Sequence, residues 1–256
     1  MSAIYPLLPL LPLLPLVTGY IPAVPTNNTA SLPVFNTTSL STFTLKWEQH
    51  GHQPLGIYST AVSYQLPGNG SAGVTQQGAF VHFTEDAAAD SLNTTTLWIA
   101  FISCDHNVTG ASTEDIFTLA QERGAVSALL YSAYSQSCLL NPAYLSREFY
   151  KPIDVFVTTS QQSVELIESQ FEQVNASFYS YDASLLTQNA LLVNESLADM
   201  ETDQATYLVG LFQVKASDNT TSPNTSSGAV RAASTPDTMI MLYVTACISL
   251  LLWGVG

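Results

Sequence analysis

Charged side chains are scarce in this chain, and the few present are unbalanced. Only 10% of its 256 residues are Asp, Glu, Lys or Arg, whereas a typical soluble domain has about 25%. The 20 acidic residues stand against 6 basic ones. The shortage of basic residues excludes a nucleic-acid partner, because Lys and Arg neutralise phosphates. The low total charge argues against an intracellular surface and calls for another source of solubility.

N-linked sugar is the expected source of that solubility. The acceptor pattern Asn-x-Ser/Thr occurs nine times between residues 27 and 224, and this spread favours a luminal position for the whole interval. The predicted glycosylation sites are Asn27, Asn36, Asn69, Asn93, Asn107, Asn175, Asn194, Asn219 and Asn224.

Catalytic motifs are also missing. The chain has no H-E-x-x-H, no G-x-S-x-G and no phosphate-binding glycine loop. The residues near His50 and His52 in sequence do not complete a three-ligand metal site, so we interpret the two histidines as a solvated strand end. Asp105 and His106 are a candidate for site chemistry, but the Asn107 sequon favours a glycosylated loop. We therefore predict no catalytic residues, no metal and no cofactor.

The N-terminal segment lacks basic residues but contains a long apolar run. Residues 4–17 are apolar with Pro at every third position, which suits the core of a signal peptide and is too short for a membrane span. We predict a signal peptide over residues 1–23, cut near Gly19 or Ala23. A Pro-rich extended arm is the alternative, because this proline spacing forbids an ordinary helix.

The C-terminal segment lacks charge altogether. Residues 238–256 are predicted to form a transmembrane helix, since the 18 residues of the apolar run 239–256 at about 1.5 Å each span roughly 27 Å. A buried core helix is the alternative. Residues 217–237 are rich in Ser, Thr, Asn, Pro and Ala and predict a glycosylated stalk. Because no basic residue follows the apolar run, it is either the end of a truncated chain or a removable lipid-anchor signal.

The interval 24–216 is predicted to be one luminal α/β domain of α+β character, rich in β-strand, with flanking helices and a core at about 75–182. β-branched and aromatic residues favour antiparallel strands over 42–47, 56–64 and 79–83. Residues 97–103 predict a strand buried on both faces, and 125–131 and 153–158 two more strands. Closing strands are predicted over 175–181 and 205–214, while 185–193 is ambiguous between helix and strand.

Two helices are predicted between these strands. The capping-box pattern of residues 112–115 starts the first, which Gly124 ends, and the second covers about 161–171. Cys104 ends a strand and Cys138 follows the next, so an oxidising lumen allows a disulfide between them. Two free thiols are the alternative. Cys247 is interpreted as an apolar filler within the C-terminal segment.

The segment 97–171 resembles a protease-associated domain. It has an apolar strand (WIAFISC), a short helix (DIFTLAQE), then Gly124-Ala125 leading into ALLYS, and PIDVFVTT before a second helix. Where that family often carries RGxCxF, this chain has ISCDHNVTGASTED. The order of leader, domain, stalk and span is similar to the luminal half of transmembrane RING-finger ubiquitin ligases of the fungal type, and the RING cysteines are absent from this chain.

The resemblance implies a non-catalytic module that recognises or sorts luminal protein or peptide segments. The expected location is the secretory and endomembrane system (endosome, vacuole or cell surface), as a single-pass type I protein held in the bilayer by its C-terminal segment. The two alternatives are a glycoprotein with a glycosylphosphatidylinositol anchor at the cell surface and an accessory domain remaining from a secreted peptidase.

Overall fold

The computed structural model describes residues 20–32, 41–47, 56–68, 76–84, 92–105, 114–146, 151–172, 174–198 and 207–214. The strands are β1 Ala23–Thr26, β2 Ser41–Trp47, β3 Gly56–Leu66, β4 Gln76–His82, β5 Trp98–Ser103, β6 Ala125–Tyr131, β7 Ser137–Leu140, β8 Asp154–Thr158 and β9 Leu208–Val214. The α-helices are α1 Ile116–Glu122, α2 Pro142–Ser146, α3 Gln161–Phe171, α4 Ala183–Gln188 and α5 Ala190–Leu197.

Seven of the strands close into a barrel. Their order around it is β2-β3-β8-β6-β5-β4-β9, and β9 pairs with β2 to complete the circle. The neighbours β4, β5, β6 and β8 run parallel, whereas β2, β3 and β9 join by antiparallel pairs. Because the carboxyl ends of parallel strands meet at one edge, the barrel has a carboxyl end and an amino end defined by these four strands.

The barrel interior is filled mainly with aromatic rings. Phe80 packs against Phe43 and Phe101 with ring centroids 5.0 and 4.8 Å apart, and Phe156 stacks on Phe212 at 4.0 Å. Helix α3 adds Val164, Ile167 and Phe171 to the same cluster. Burial of this apolar surface is the main stabilising contribution to the barrel.

A second apolar layer covers the outer face of the parallel strands. It combines alternate residues of β4, β5, β6 and β8 with buried faces of α1, α4 and α5. This explains why residues 97–103 form a continuous apolar run, since β5 is covered on both sides. The prediction of a β-rich domain with flanking helices is confirmed.

A short two-stranded sheet lies beside the barrel and was not predicted. Strand β1 pairs antiparallel with β7, and Asn141 N donates to Pro22 O. Tyr20 bridges to Asp115, while Ile21 and Ala23 are buried in the outer apolar layer. Residues 20–23, which fall inside the predicted signal peptide, therefore belong to the fold.

Two sequence predictions need correction, and one ambiguity is resolved. Residues 175–181 form a 3₁₀ turn, Ala176–Phe178, because the Asn175 side chain accepts a hydrogen bond from Ser177 N and caps the turn. The ambiguous segment 185–193 is helical, divided between α4 and α5. Strand β4 is antiparallel only to β9 and runs parallel to β5, so the early strands are not one antiparallel set.

The end of α1 requires a glycine. Gly124 has φ of +92°, a conformation that L side chains rarely adopt, and a Cβ there would overlap the carbonyl oxygen of Thr94. We expect Gly124→Ala to lower the free energy of unfolding by at least about 2 kcal/mol, because the left-handed backbone alone costs about 1–2 kcal/mol. Urea unfolding measures this loss. Asn tolerates positive φ, so a wild-type stability for Gly124→Asn would contradict the overlap with Thr94.

The segments 217–237 and 238–256 lie outside the described residues. Within the described ranges, no helix is both long and apolar enough to cross a membrane.

The predicted capping residues 112 and 113 of the first helix also lie outside the described residues. The side chain that caps α1 is that of Asp115, which accepts hydrogen bonds from the backbone N–H groups of Phe117 and Thr118.

Candidate functional site

A buried histidine lies at the carboxyl end of the barrel. His82 is the last residue of β4 and is 5% exposed. Its Nε2 lies 3.2 Å from Glu168 Oε2 on α3, and its Nδ1 lies 3.3 Å from the Tyr131 hydroxyl at the end of β6. An ionised carboxylate only accepts hydrogen bonds, so the neutral His82 ring donates to Glu168 from Nε2.

Aromatic rings surround this trio. The His82 ring stacks on Tyr179 with centroids 4.1 Å apart and contacts Phe101 and Phe171 at 4.9 and 4.6 Å. Its backbone is also held, because His82 N donates to Tyr179 O and Tyr181 N donates to His82 O. Glu168 is the most accessible polar member of the trio, with 31% of its side chain exposed. The cluster therefore joins α3 and the segment after it to the barrel.

Burial raises the pKa of the Tyr131 phenol well above its ordinary value of 10.0, and the Glu168 carboxylate adds to the shift. Burial likewise raises the pKa of Tyr144, whose hydroxyl donates to Asp115. The unfolded chain therefore loses these two phenol protons above about pH 10, whereas the folded chain keeps them. The contribution of the two tyrosines to the free energy of unfolding is full below that pH and is lost progressively above it.

We expect the free energy of unfolding to fall by about 1 kcal/mol per buried tyrosine between pH 10 and 11. Urea unfolding at both pH values measures the loss, and absorbance at 295 nm should show tyrosinate from these residues only when the fold opens. In Tyr131→Phe the pH-dependent loss should be smaller. An unchanged pH dependence in that variant would contradict the assignment.

A buried carboxylate lies at the opposite, amino end. Asp154 begins β8 and is 3% exposed. Its Oδ1 accepts from the Tyr64 hydroxyl at 2.7 Å and from Gly68 N at 2.6 Å, and its Oδ2 accepts from the side-chain amide of Gln76. Three neutral donors thus satisfy a charged group inside the fold, as buried charge requires. Burial and the Asp154 carboxylate raise the pKa of Tyr64.

An open pocket adjoins this carboxylate. Its volume is about 390 Å³ and its lining includes Gln76, Gln77, Leu97 and Val126. These residues come from the amino ends of β4, β5 and β6, and Gln76 connects the pocket to Asp154. The pocket therefore offers amide groups and apolar walls backed by a negative charge.

The structure places the sequence-predicted residues as follows. Cys104 and Cys138 form the predicted disulfide, with Cα atoms 6.2 Å apart. It joins the end of β5 to β7.

Asp105, a candidate for site chemistry, has a structural role. It accepts hydrogen bonds from Ser132 Oγ and from Ala133 N and so links the turns after β5 and β6. The candidates His50, His52 and His106 and the cysteine Cys247 lie outside the described residues.

Four of the predicted glycosylation sites fall within the described ranges, and their asparagine side chains are all exposed: Asn27, Asn93, Asn175 and Asn194. The other five lie outside those ranges: Asn36, Asn69, Asn107, Asn219 and Asn224. The part of the chain that the structure describes contains no group of three or more His, Cys, Asp or Glu side chains arranged to hold a metal ion.

Neither polar cluster was predicted from the sequence. His82, Tyr131 and Glu168 are separated by 49 and 37 residues along the chain, and only the barrel closure and α3 bring them together. The sequence carries one local indication of each cluster. A histidine lies within the apolar segment AFVHF, and an aspartate lies within IDVFV. A polar residue in a buried strand usually has a specific partner.

Comparison with protein-family models and with curated proteins found no match for this chain.

Proposed function

We propose that the chain is a non-catalytic recognition or sorting module for luminal or extracellular protein segments, tethered to a membrane through residues 238–256. The proposed setting is the endosome, vacuole or cell surface, as the luminal part of a protein of the protease-associated, transmembrane, RING-finger ligase type. Ligase activity is not proposed for this chain. The observation that carries the proposal is that His82, Tyr131 and Asp154, the polar side chains at the two ends of the barrel in the described part of the chain, are buried, while an open pocket is lined by amides and apolar groups.

Burial is what favours binding over catalysis. A general acid or base must come within hydrogen-bond reach of a substrate, directly or through one water. His82, Tyr131 and Asp154 are all less than a tenth exposed and are hydrogen-bonded to other side chains of the fold. They stabilise the two ends of the barrel, which leaves the pocket and the surrounding surface for recognition.

The disulfide supports the proposed compartment. Disulfides persist in oxidising compartments and are rare in the cytosol, and the Cys104–Cys138 bond is buried within the outer apolar layer. The exposed asparagines of the four described sequons are sterically accessible for glycans. A signal peptide ending at Gly19 would retain the buried residues Ile21 and Ala23, so we place the cleavage there.

The proposed relation to protease-associated domains draws support from the order of elements. Helix α1, Gly124 and β6 follow β5 directly, and β6 lies parallel to β5. Strand β8 then pairs parallel with β6 and leads into α3. This arrangement matches the segments on which the sequence resemblance depends.

Proximity labelling in cells tests this proposal. The full-length chain, with a peroxidase fused after residue 19, should biotinylate secreted and luminal proteins in preference to cytosolic ones. A secreted peroxidase without the chain is the control for bulk flow. The chain should also lose apparent mass after endoglycosidase treatment. Labelling of cytosolic proteins without such a mass change would overturn the proposal, as would a labelling pattern equal to that of the control.

A further inference from the structure

The two most exposed large hydrophobic side chains in the described part of the chain are Tyr134 and Leu191. Tyr134 is 76% exposed and Leu191 is 70% exposed. Single apolar residues at a protein surface are common, but each of these two lies beside the asparagine of a predicted glycosylation site. Tyr134 is on a loop that is hydrogen-bonded to Asn27, and Leu191 is in the same helix as Asn194. Each therefore has a predicted sugar attachment point next to it.

Helix α5 places Leu191 and Asn194 on the same face. They are three residues apart within the helix, and both are exposed. Side chains at this spacing are neighbours, with about 5–6 Å between their Cβ atoms. Helical side chains also lean toward the amino terminus of their helix, so Asn194 leans toward Leu191. A sugar attached to Asn194 Nδ2 would therefore lie over the leucine.

A hydrogen bond joins Asn27 to the loop that carries Tyr134. Asn27 Oδ1 accepts from Gln136 N at 3.1 Å. Because Gln136 is two residues beyond Tyr134, standard backbone dimensions keep Asn27 Oδ1 within about 10 Å of the Tyr134 Cα. The amide nitrogen Nδ2, which is the atom that carries an N-glycan, takes no part in this bond. A tyrosine side chain and the first sugars of a glycan together bridge a distance of this size.

The loop holds the backbone of Tyr134 in a fixed position. Ser132 Oγ accepts from Tyr134 N and Ser135 N, and Asp105 accepts from Ser132 Oγ and Ala133 N. A side chain on an ordered backbone loses less entropy when a neighbour packs on it. The faces of pyranose sugars carry C–H groups, whose weakly positive hydrogens are attracted to the negative face of an aromatic ring. Tyr134 is therefore suited to contact a sugar.

The other two described glycosylation sites show the same pairing. Leu92 directly precedes Asn93 and is 54% exposed, and Tyr179 follows Asn175 by four residues and is 41% exposed. Each exposed sequon asparagine in the described ranges thus has a large exposed hydrophobic side chain beside it. Attached sugars would remove this apolar surface from water, in a chain of which only 10% of residues are charged.

We propose that the first sugars of the N-glycans on Asn27 and Asn194 pack on Tyr134 and Leu191, so that each glycan forms part of the folded surface. This inference rests on the proposed function, because N-glycans are attached in the lumen of the secretory pathway. It goes beyond that function by assigning each glycan a contact that stabilises the fold. A protein partner that binds Tyr134 or Leu191 directly is the competing occupant.

Hydroxyl-radical footprinting tests the contact without any substitution. The full-length chain from eukaryotic cells is oxidised before and after enzymatic removal of its N-glycans, and mass spectrometry measures glycan occupancy and the oxidation of each side chain. Oxidation of Tyr134 and Leu191 should rise at least about twofold on deglycosylation, because a packed sugar removes much of their surface from water. Ile57 is the internal control, since it is 60% exposed and no sequon lies within ten residues of it. Its oxidation should not change.

A double-mutant cycle measures the effect of the Asn27 glycan on stability. Thr29→Ala removes the sequon but retains Asn27 and its hydrogen bond from Gln136. In urea unfolding of the glycosylated chain, Tyr134→Ser should lower the folding equilibrium constant about threefold or more. In the Thr29→Ala background the same substitution should have little effect. Tyr134→Phe retains the ring face and should match wild type in both backgrounds.

The outcomes separate this inference from the proposed function. If Asn27 and Asn194 carry glycans but the oxidation of Tyr134 and Leu191 is equal in both samples, the inference is wrong and the luminal setting stands. Equal effects of Tyr134→Ser in the two backgrounds would also overturn the inference. Absence of glycan from Asn27 and Asn194 would overturn it as well, and together with labelling of cytosolic proteins would overturn the luminal setting.

Discussion

Replacing Phe101 by alanine is expected to lower the free energy of unfolding by about 3–5 kcal/mol. Phe101 lies in the middle of the parallel strands, is fully buried, and stacks on Tyr131 with ring centroids 3.9 Å apart. It also contacts Phe80 at 4.8 Å and Phe171 of α3 at 6.2 Å. Alanine would leave a cavity bounded by strands on both sides, where the barrel closure limits collapse.

Phe101→Leu is the matched control for this experiment. Leucine retains most of the buried apolar volume, so the free energy of unfolding of Phe101→Leu should fall by only about 1–2 kcal/mol. Urea unfolding followed by tryptophan fluorescence measures both variants. Losses of equal size in the two would mean that aromatic stacking, rather than the cavity, sets the stability of this region. A loss below about 1 kcal/mol for Phe101→Ala would contradict the placement of Phe101 at the centre of the core.

The same substitution has a second expected consequence at the carboxyl end of the barrel. Phe101 shields both Tyr131 and His82 from water. In any Phe101→Ala molecule that remains folded, water should reach the Tyr131 hydroxyl and lower its raised pKa toward the ordinary value. The stability lost between pH 10 and 11 should therefore be smaller in this variant than in the wild-type chain.

The elements that the sequence predicted well are those with a strong local pattern. Strands β5 and β6 appear as continuous apolar runs because both of their faces are covered. Helix α3 follows from the inward spacing of Val164, Ile167 and Phe171. The disulfide was predicted from the positions of Cys104 and Cys138 at two strand ends, and the structure confirms it.

The missed elements depend on partners that are distant in sequence. Strands β1 and β7 have four residues each, too few for a periodic pattern, and each forms only because the other pairs with it. Residues 175–181 carry aromatic residues typical of strands, but the capping hydrogen bond of Asn175 turns the backbone instead. A local side-chain bond thus outweighs the strand preference of the neighbouring residues.

The candidate site depends on closure of the barrel, which no local pattern specifies. Gln76 and Asp154 are 78 residues apart in sequence, and they meet because β4 and β8 begin at the same end of the parallel set. Gln76 in particular has an ordinary sequence context, QQG, and carries no signal by itself. Single polar residues within apolar strands are the practical indicator of such a site in a sequence, because the fold must supply each of them with a hydrogen-bond partner.

Loss of the disulfide is expected to lower the free energy of unfolding by about 3–4 kcal/mol. The bond closes a loop with a sequence separation of 34 residues, and in the chain-entropy account the stabilisation increases with the logarithm of loop length. The double variant Cys104→Ala/Cys138→Ala removes the bond without burying hydroxyl groups. Urea unfolding of this variant under oxidising conditions measures the loss.

Reduction of the wild-type chain provides the control, because it breaks the bond without changing the side chains. If the cross-link is what stabilises the fold, reduced wild type and the double alanine variant should unfold at similar urea concentrations. The effect should also be local, since Cys138 pairs with Pro25 in the β1–β7 sheet. Hydrogen exchange should therefore accelerate first in β1 and β7, while β5 and β6 retain their protection. Uniform loss of protection across all strands would instead assign the disulfide a role in the stability of the whole barrel.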